Sequence, residues 1–175
     1  TLLAYWSFDD SSLDDSASEF YNMTNSGTSV DTIGCIIGDC RNISTYGQYL
    51  QFPDIKGGGE WTLNFWMEKE GYENPAGHVL FVGGTSAGGD YPAAILFSGA
   101  SAYFRVYINP NSASSSTGLN LPTTGQWDMV TVTFDNTNYY YYLNGALEES
   151  VSISGTLWAN GVAGRIGSAD DGNYN

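Results

Sequence analysis

The residues most able to do chemistry in this chain lie at alternate positions of one stretch, Ala102-Tyr-Phe-Arg-Val-Tyr-Ile108. On a strand, Tyr103, Arg105 and Tyr107 share a face. Two phenol rings flanking a guanidinium make a platform on which a sugar ring can stack while polar groups fix its orientation. The same pattern also suits a covered inner face with one arginine stem laid along apolar surface. A second group is acidic: Asp9-Asp10 with Asp14-Asp15 near one end, and Asp170-Asp171 near the other. Ca²⁺ takes several carboxylate and carbonyl oxygens, and clusters of this kind supply them; acidic turns that merely solvate the ends of a fold are the alternative. A third feature is the run Asn-Tyr-Tyr-Tyr-Tyr-Leu-Asn-Gly at 138–145. Read as a strand, it sends Tyr140 and Tyr142 one way and Tyr139, Tyr141 and Leu143 the other. Periodicity does not say which set is inside.

Catalytic constellations are scarce. His78 is the single histidine, and no nucleophile-elbow pattern accompanies it. The acidic cluster closest to a paired-carboxylate pattern is Glu68, Glu70 and Glu73 around Lys69, at the end of a strand-like segment. It reads as a solvated strand end rather than as an acid and base flanking one bond.

Composition narrows the function further. The chain has 175 residues with a net charge of −14 and only five basic side chains: Arg41, Lys56, Lys69, Arg105 and Arg165. Nucleic-acid binding requires clustered cations and is excluded. An anionic membrane surface is disfavoured for the same reason, and no apolar run is long enough for membrane insertion as a helix. The chain opens at Thr1 on a strand-like segment with no signal peptide, so secretion would mean prior processing. Cys35 and Cys40 bracket Ile-Ile-Gly-Asp; a disulfide between them would close a small loop, and a pair of free thiols beside a turn is the alternative. Asn22-Met-Thr and Asn42-Ile-Ser are N-glycosylation sequons, weak signals in a chain so rich in Asn, Ser and Thr.

The elements that must position these residues are short strands between turn signals, with no internal repeat and no linker, so residues 1–175 are expected to form one domain. Strands are predicted at Leu2–Phe8, Tyr49–Pro53, Trp61–Met67, Val79–Val82, Ala93–Phe97, Ala102–Ile108, Trp127–Phe134, Ala146–Val151 and Ala163–Ile166, with a further one in the tyrosine run. Trp61–Met67 is the most apolar and is expected at the centre of its sheet. Asn111–Gly118 is expected to be an exposed polar loop. In Trp127–Phe134, period two places Val130, Val132 and Phe134 toward the core. Asn144-Gly145 suits the positive-φ turn of a tight hairpin.

Several of these pieces occur in a familiar order. Leu3-Ala-Tyr-Trp-Ser-Phe-Asp9, Tyr49-Leu-Gln-Phe-Pro53, Trp61-Thr-Leu-Asn-Phe-Trp-Met67, Trp127 to Asp135, Tyr142-Leu-Asn-Gly145 and Gly164-Arg-Ile-Gly-Ser168 together resemble the laminin G-like, concanavalin A-like lectin and glucanase jelly-roll superfamily. The resemblance spans nearly the whole chain. It implies an all-β fold: an antiparallel two-sheet jelly-roll sandwich. A closing strand of the type Phe-x-Gly-x-Ile-Asp-Glu-Val, usual in the family, has no counterpart before Asn175, so the sandwich is expected to lack its final strand and leave a row unpaired. The resemblance also implies a Ca²⁺ site where the opening strand meets the loop after Ile-Gly-Ser, which falls on Asp9, Asp10, Asp170 and Asp171. The glucanases' paired carboxylates on one strand are absent. The expectation is therefore a non-catalytic extracellular or cell-surface module for recognition or adhesion, binding glycan or protein, with Tyr103, Arg105 and Tyr107 as ligand contacts. The alternative is a structural subunit of an extracellular filament or sheath, joined to copies of itself by strand complementation.

Overall fold

A computed structural model describes residues 2–18, 20–44, 47–53, 60–68, 77–82, 93–98, 101–108, 112–117, 124–152 and 163–167, with backbone and register only for those between 77 and 117. The described residues form thirteen strands. They are β1 (Thr24–Ser26), β2 (Ser29–Asp31), β3 (Cys40–Asn42), β4 (Tyr49–Phe52), β5 (Trp61–Glu68), β6 (Gly77–Val82) and β7 (Ala93–Ser98), followed by β8 (Ser101–Ile108), β9 (Ser112–Thr117), β10 (Trp127–Phe134), β11 (Asn138–Leu143), β12 (Ala146–Ser152) and β13 (Gly164–Gly167). Among the described residues a seven-stranded sheet has the order β1-β4-β13-β6-β7-β8-β9, a four-stranded sheet has the order β12-β11-β10-β5, and β2 pairs with β3. Every pairing is antiparallel. This is the jelly-roll sandwich that the resemblance implies; residues 168–175, where the final strand is expected to be lacking, lie outside the described residues.

The core lies between the two large sheets. Val130, Val132 and Phe134 on β10 are buried as their alternation requires, together with Leu63 on β5 and Leu50 and Phe52 on β4. Gly164 sits opposite Phe52 in the ladder, and a Cβ there would lie 2.1 Å from the Phe52 ring. The glycine is what lets that ring lie across β13.

Three local expectations are corrected, and a fourth difference was not anticipated. Residues 2–8 form no strand. The Tyr5 N–H donates to the Asp15 carboxylate at 2.9 Å and the Tyr5 carbonyl accepts from Ser16 N–H at 2.8 Å, so its backbone groups are used by a loop instead of a ladder. Phe8, at φ +64°, then ends the extended run before the 3-10 turn Asp9–Ser11. Second, Ser112–Thr117 is a strand, not a loop: β8 pairs with it from Tyr103 to Ile108, and tertiary pairing overrides the weak strand propensity of serine. Third, β5 is an edge strand of its sheet among the described residues. Its apolar side chains are divided between two faces, with Leu63 buried and Trp66 47 % exposed. Fourth, β1, β2 and β3 carry too little alternation to be legible beforehand. They are three residues each, paired β1 with β4 and β2 with β3, and the turn between β1 and β2 is closed by Asn25 Oδ1 accepting from Thr28 N–H at 2.8 Å.

The Cys35–Cys40 disulfide is formed, with Cα atoms 5.6 Å apart. Its loop ties two distant parts of the chain. The Trp127 indole donates to the Gly34 carbonyl at 2.8 Å, and Asp39 accepts from Ser11 N–H at 3.3 Å while Arg41 donates to the Ser11 carbonyl. No helix among the described residues is long and apolar enough to cross a membrane.

Candidate functional site: the outer face of the four-stranded sheet

The tyrosine run is β11, and its two faces differ completely in surroundings. Tyr139 and Tyr141 stand opposite Phe134 and Val132 of β10, so the pleat sends them into the core, where their relative exposures are 0 % and 1 %. Tyr139 stacks on Phe134 with centroids 4.6 Å apart and meets Trp61 edge-on at 5.7 Å. Removal from water disfavours the phenolate and pushes both hydroxyls above the ordinary tyrosine range. Tyr140 and Tyr142 stand opposite Thr133 and Thr131 and lie half-buried on the outside, their rings 6.4 Å apart and tilted by 37°.

The turns at the two ends of β11 hold that face in place. At one end, Asp135 Oδ1 accepts from Thr137 N–H at 2.8 Å and Asn138 N–H at 2.6 Å. Its Oδ2 accepts from the Tyr140 hydroxyl at 2.8 Å and from the Asn138 amide at 3.3 Å. Bonds from the Asn138 backbone and the Tyr140 hydroxyl lead in lowering this carboxyl to about 2, and the same bond to Asp135 raises the Tyr140 phenol. At the other end, Asn144 and Gly145 have φ of +51° and +81°, the paired positive values of a two-residue hairpin turn. Asn144 also accepts from Met129 N–H at 2.9 Å through its side-chain oxygen and donates to the buried Asp128 carboxylate at 2.6 Å.

Pairing then fixes who shares the outer face. Leu147 lies opposite Tyr142, Tyr142 opposite Thr131, Thr131 opposite Asn64 and Met129 opposite Trp66. The Asn64 amide donates to the Thr131 hydroxyl at 2.6 Å. Trp66 is 47 % and Leu147 55 % exposed. The result is a shallow face of rings and apolar side chains interleaved with hydroxyl and amide groups, suited to stacking against a flat amphipathic ligand. Sequence reasoning left the Tyr140–Tyr142 pair as an open choice and missed Trp66, Met129 and Leu147. Period two on β5 and β10 carried the signal for the first two, since Thr62, Asn64 and Trp66 alternate with Leu63 and Phe65.

The expected site residues are distributed as follows. Tyr103, Arg105 and Tyr107 occupy alternate positions of β8, opposite Leu96, Ala94 and, on the other side, Ala113; their side chains lie outside the described residues. Asp9 is in the 3-10 turn with its carboxylate over Gly38, where a Cβ would lie 1.8 Å from its oxygen. The Asp10 side chain, Asp170 and Asp171 are outside the described residues, as are Glu70, Glu73 and the His78 side chain. No three His, Cys, Asp or Glu side chains converge on a metal-sized site among the described residues. Of the other early acidic pair, Asp15 is fully buried. Burial raises its carboxyl, but bonds from the Ser18 hydroxyl and the Tyr5, Ala17 and Tyr21 N–H groups outweigh it and hold the group at about 2. Asn22 accepts from Asp15 N–H at 2.9 Å; the Asn42 amide, the nitrogen a glycan would occupy, donates to Asp31 at 2.9 Å.

Residues 44–175 match the family model of the concanavalin A-like lectin/glucanases superfamily. No curated protein sequence matches the chain. Among solved structures, domain 4 of AbnA, an extracellular arabinanase from Geobacillus stearothermophilus in complex with arabinotriose, is similar at 19 % identity and TM-score 0.69, covering 95 % of this chain and 82 % of that one. A botulinum neurotoxin type C structure, described as dependent on two ganglioside molecules for cell entry, is similar at 15 % identity and TM-score 0.65, covering 94 % of this chain and 42 % of that one. A botulinum serotype D ligand-binding domain in complex with N-acetylneuraminic acid is similar at 13 % identity and TM-score 0.62, covering 83 % and 37 %. The chain thus spans less than half the length of these toxin domains. At such identities the likeness is one of fold.

Proposed function

The chain belongs to the concanavalin A-like lectin/glucanases superfamily, and from that premise we propose that it is a non-catalytic glycan-recognition module of a secreted or surface protein. The observation that carries this reading is the outward pair Tyr140 and Tyr142 beside exposed Trp66, on an antiparallel sheet with hydroxyl and amide groups between the rings. Exposed aromatic surface framed by polar groups marks binding sites. Placing it on strands, with Tyr140 fixed by Asp135, keeps the ordering cost of binding low. Similar folds supply precedent: AbnA domain 4 was solved with arabinotriose and a botulinum serotype D domain with N-acetylneuraminic acid. The sequence carries no strand with the spaced carboxylates that a glucanase uses. The Cys35–Cys40 disulfide supports an oxidising compartment.

Screening the purified chain on a glycan array tests the reading. Binding is expected for at least one glycan class; silence across the array would refute it. Tyr103→Ala and Tyr107→Ala on β8, run beside Tyr142→Ala, assign the site to one sheet or the other. Calcium belongs to the same proposal, with Asp9, Asp10, Asp170 and Asp171 as its ligands: a melting temperature raised by Ca²⁺, and unmoved in Asp9→Asn, would support it, and no shift in the parent chain would refute it.

A further inference from the structure

We propose that the outer face of the four-stranded sheet selects uncharged glycans, binding an oligosaccharide of neutral sugars across Tyr142 and Trp66 and disfavouring sialylated or uronate-bearing ones. This rests on the glycan-recognition reading and specifies its site and ligand class.

The chemistry of the face sets the preference. Trp66, Met129, Thr131, Tyr140, Tyr142 and Leu147 present rings, methyl groups and hydroxyls, with no cation on this face among the described residues. The two arginines whose side chains are described are placed elsewhere. Arg41 donates to the Ser11 carbonyl. Arg165 lies 3.9 Å over the Tyr49 ring and bonds Gln51, on the seven-stranded sheet. The charges at the margins of the face are carboxylates: Asp135 beside Tyr140, and Glu68 at the end of β5. An anionic sugar brought against Tyr140 or Trp66 would meet these with no counter-charge from a described residue, and within the field of a chain of net charge −14. A neutral sugar meets no such opposition. Its C–H face can lie on the rings, and its hydroxyls find partners of matching kind. The Thr131 hydroxyl, already accepting from Asn64, still has its own proton to give. The face crosses all four strands from Leu147 to Trp66, roughly 14 Å at ordinary strand spacing, an extent suited to several sugar units.

The test is calorimetry of the whole chain with neutral arabino- and gluco-oligosaccharides and with sialylated and uronate oligosaccharides, at low salt and at about 0.5 M. A neutral oligosaccharide is expected to bind at least about tenfold more tightly than any acidic one, with an affinity unchanged by salt. Tyr142→Ala and Trp66→Ala should each weaken binding about tenfold or more. Should either variant fail to fold, Thr131→Val and the change in tryptophan emission of the parent chain on titration report on the same face. Acidic glycans binding equally well or better would overturn the class preference and leave glycan recognition standing. Glycan binding unmoved by all three variants and abolished by Tyr103→Ala would overturn the assignment of the face. No binding to either set would overturn both.

Discussion

Asp135 shows how one side chain serves both turn and surface. Its carboxylate accepts from two backbone N–H groups and from the Tyr140 hydroxyl, which orients an outward ring. Each of these bonds favours the ionised form, and the carboxyl falls to about 2; Asp15, in the loop that replaces the expected first strand, reaches about 2 in the same way. Both titrate lower in the folded chain than in the unfolded one, where a carboxyl protonates near 4. Their stabilisation is therefore present above that range and is lost as pH falls toward 2. Thermal melts should be flat near neutrality and drop steeply between about pH 4 and pH 2. Asp135→Asn should lower the melting temperature at pH 7 and make that acid slope shallower. An unchanged slope would mean that the turn carboxylate is not held by these bonds.

At the scale of elements, two short segments carry constraints out of proportion to their size. The β11–β12 turn requires positive φ at both central residues, and Asn144 additionally bonds Met129 N–H and Asp128. Asn144→Ala removes a residue tolerant of that conformation and leaves a buried carboxylate short of a donor, so a loss of about 2–3 kcal/mol is expected by denaturant unfolding. β13 depends on the absence of a side chain. Gly164→Ala places a methyl group within 2.1 Å of Phe52; the ring or the strand must shift, and a loss of about 1–3 kcal/mol is expected in the same measurement. A stability within error of the parent for Gly164→Ala would show that Phe52 has room to swing aside.

The whole molecule is assembled from pairings far apart in sequence. β5 pairs with β10 through Leu63 and Val132, and β4 with β13 through Gln51 and Arg165. The disulfide loop reaches Trp127 from Gly34. Loop-closure entropy must be met before such contacts return anything, so refolding with the disulfide intact is expected in milliseconds to seconds, followed by tryptophan fluorescence in stopped flow. Microsecond refolding would contradict this topology.

Strand identity and core direction were legible wherever alternation was sharp. Val130, Val132 and Phe134 announce their own burial, Asn144-Gly145 announces its turn, and the order of such pieces announces the superfamily. These are local signals of pleat and φ, which residue type fixes directly. Four tyrosines in a row cannot announce which two are inside. That was decided by register: Tyr139 and Tyr141 fall opposite Phe134 and Val132, so they share the buried face, and Tyr140 and Tyr142 are left to the outside with Trp66 and Leu147 from strands remote in the chain. The same long-range pairing turned the serine-rich 112–117 segment into a strand and, among the described residues, left apolar β5 at an edge. Sequence determined the kind of fold and those elements whose alternation is sharp. The tertiary structure decided which aromatic rings meet water, because a one-residue change of register exchanges the two faces of a strand without altering a single local preference.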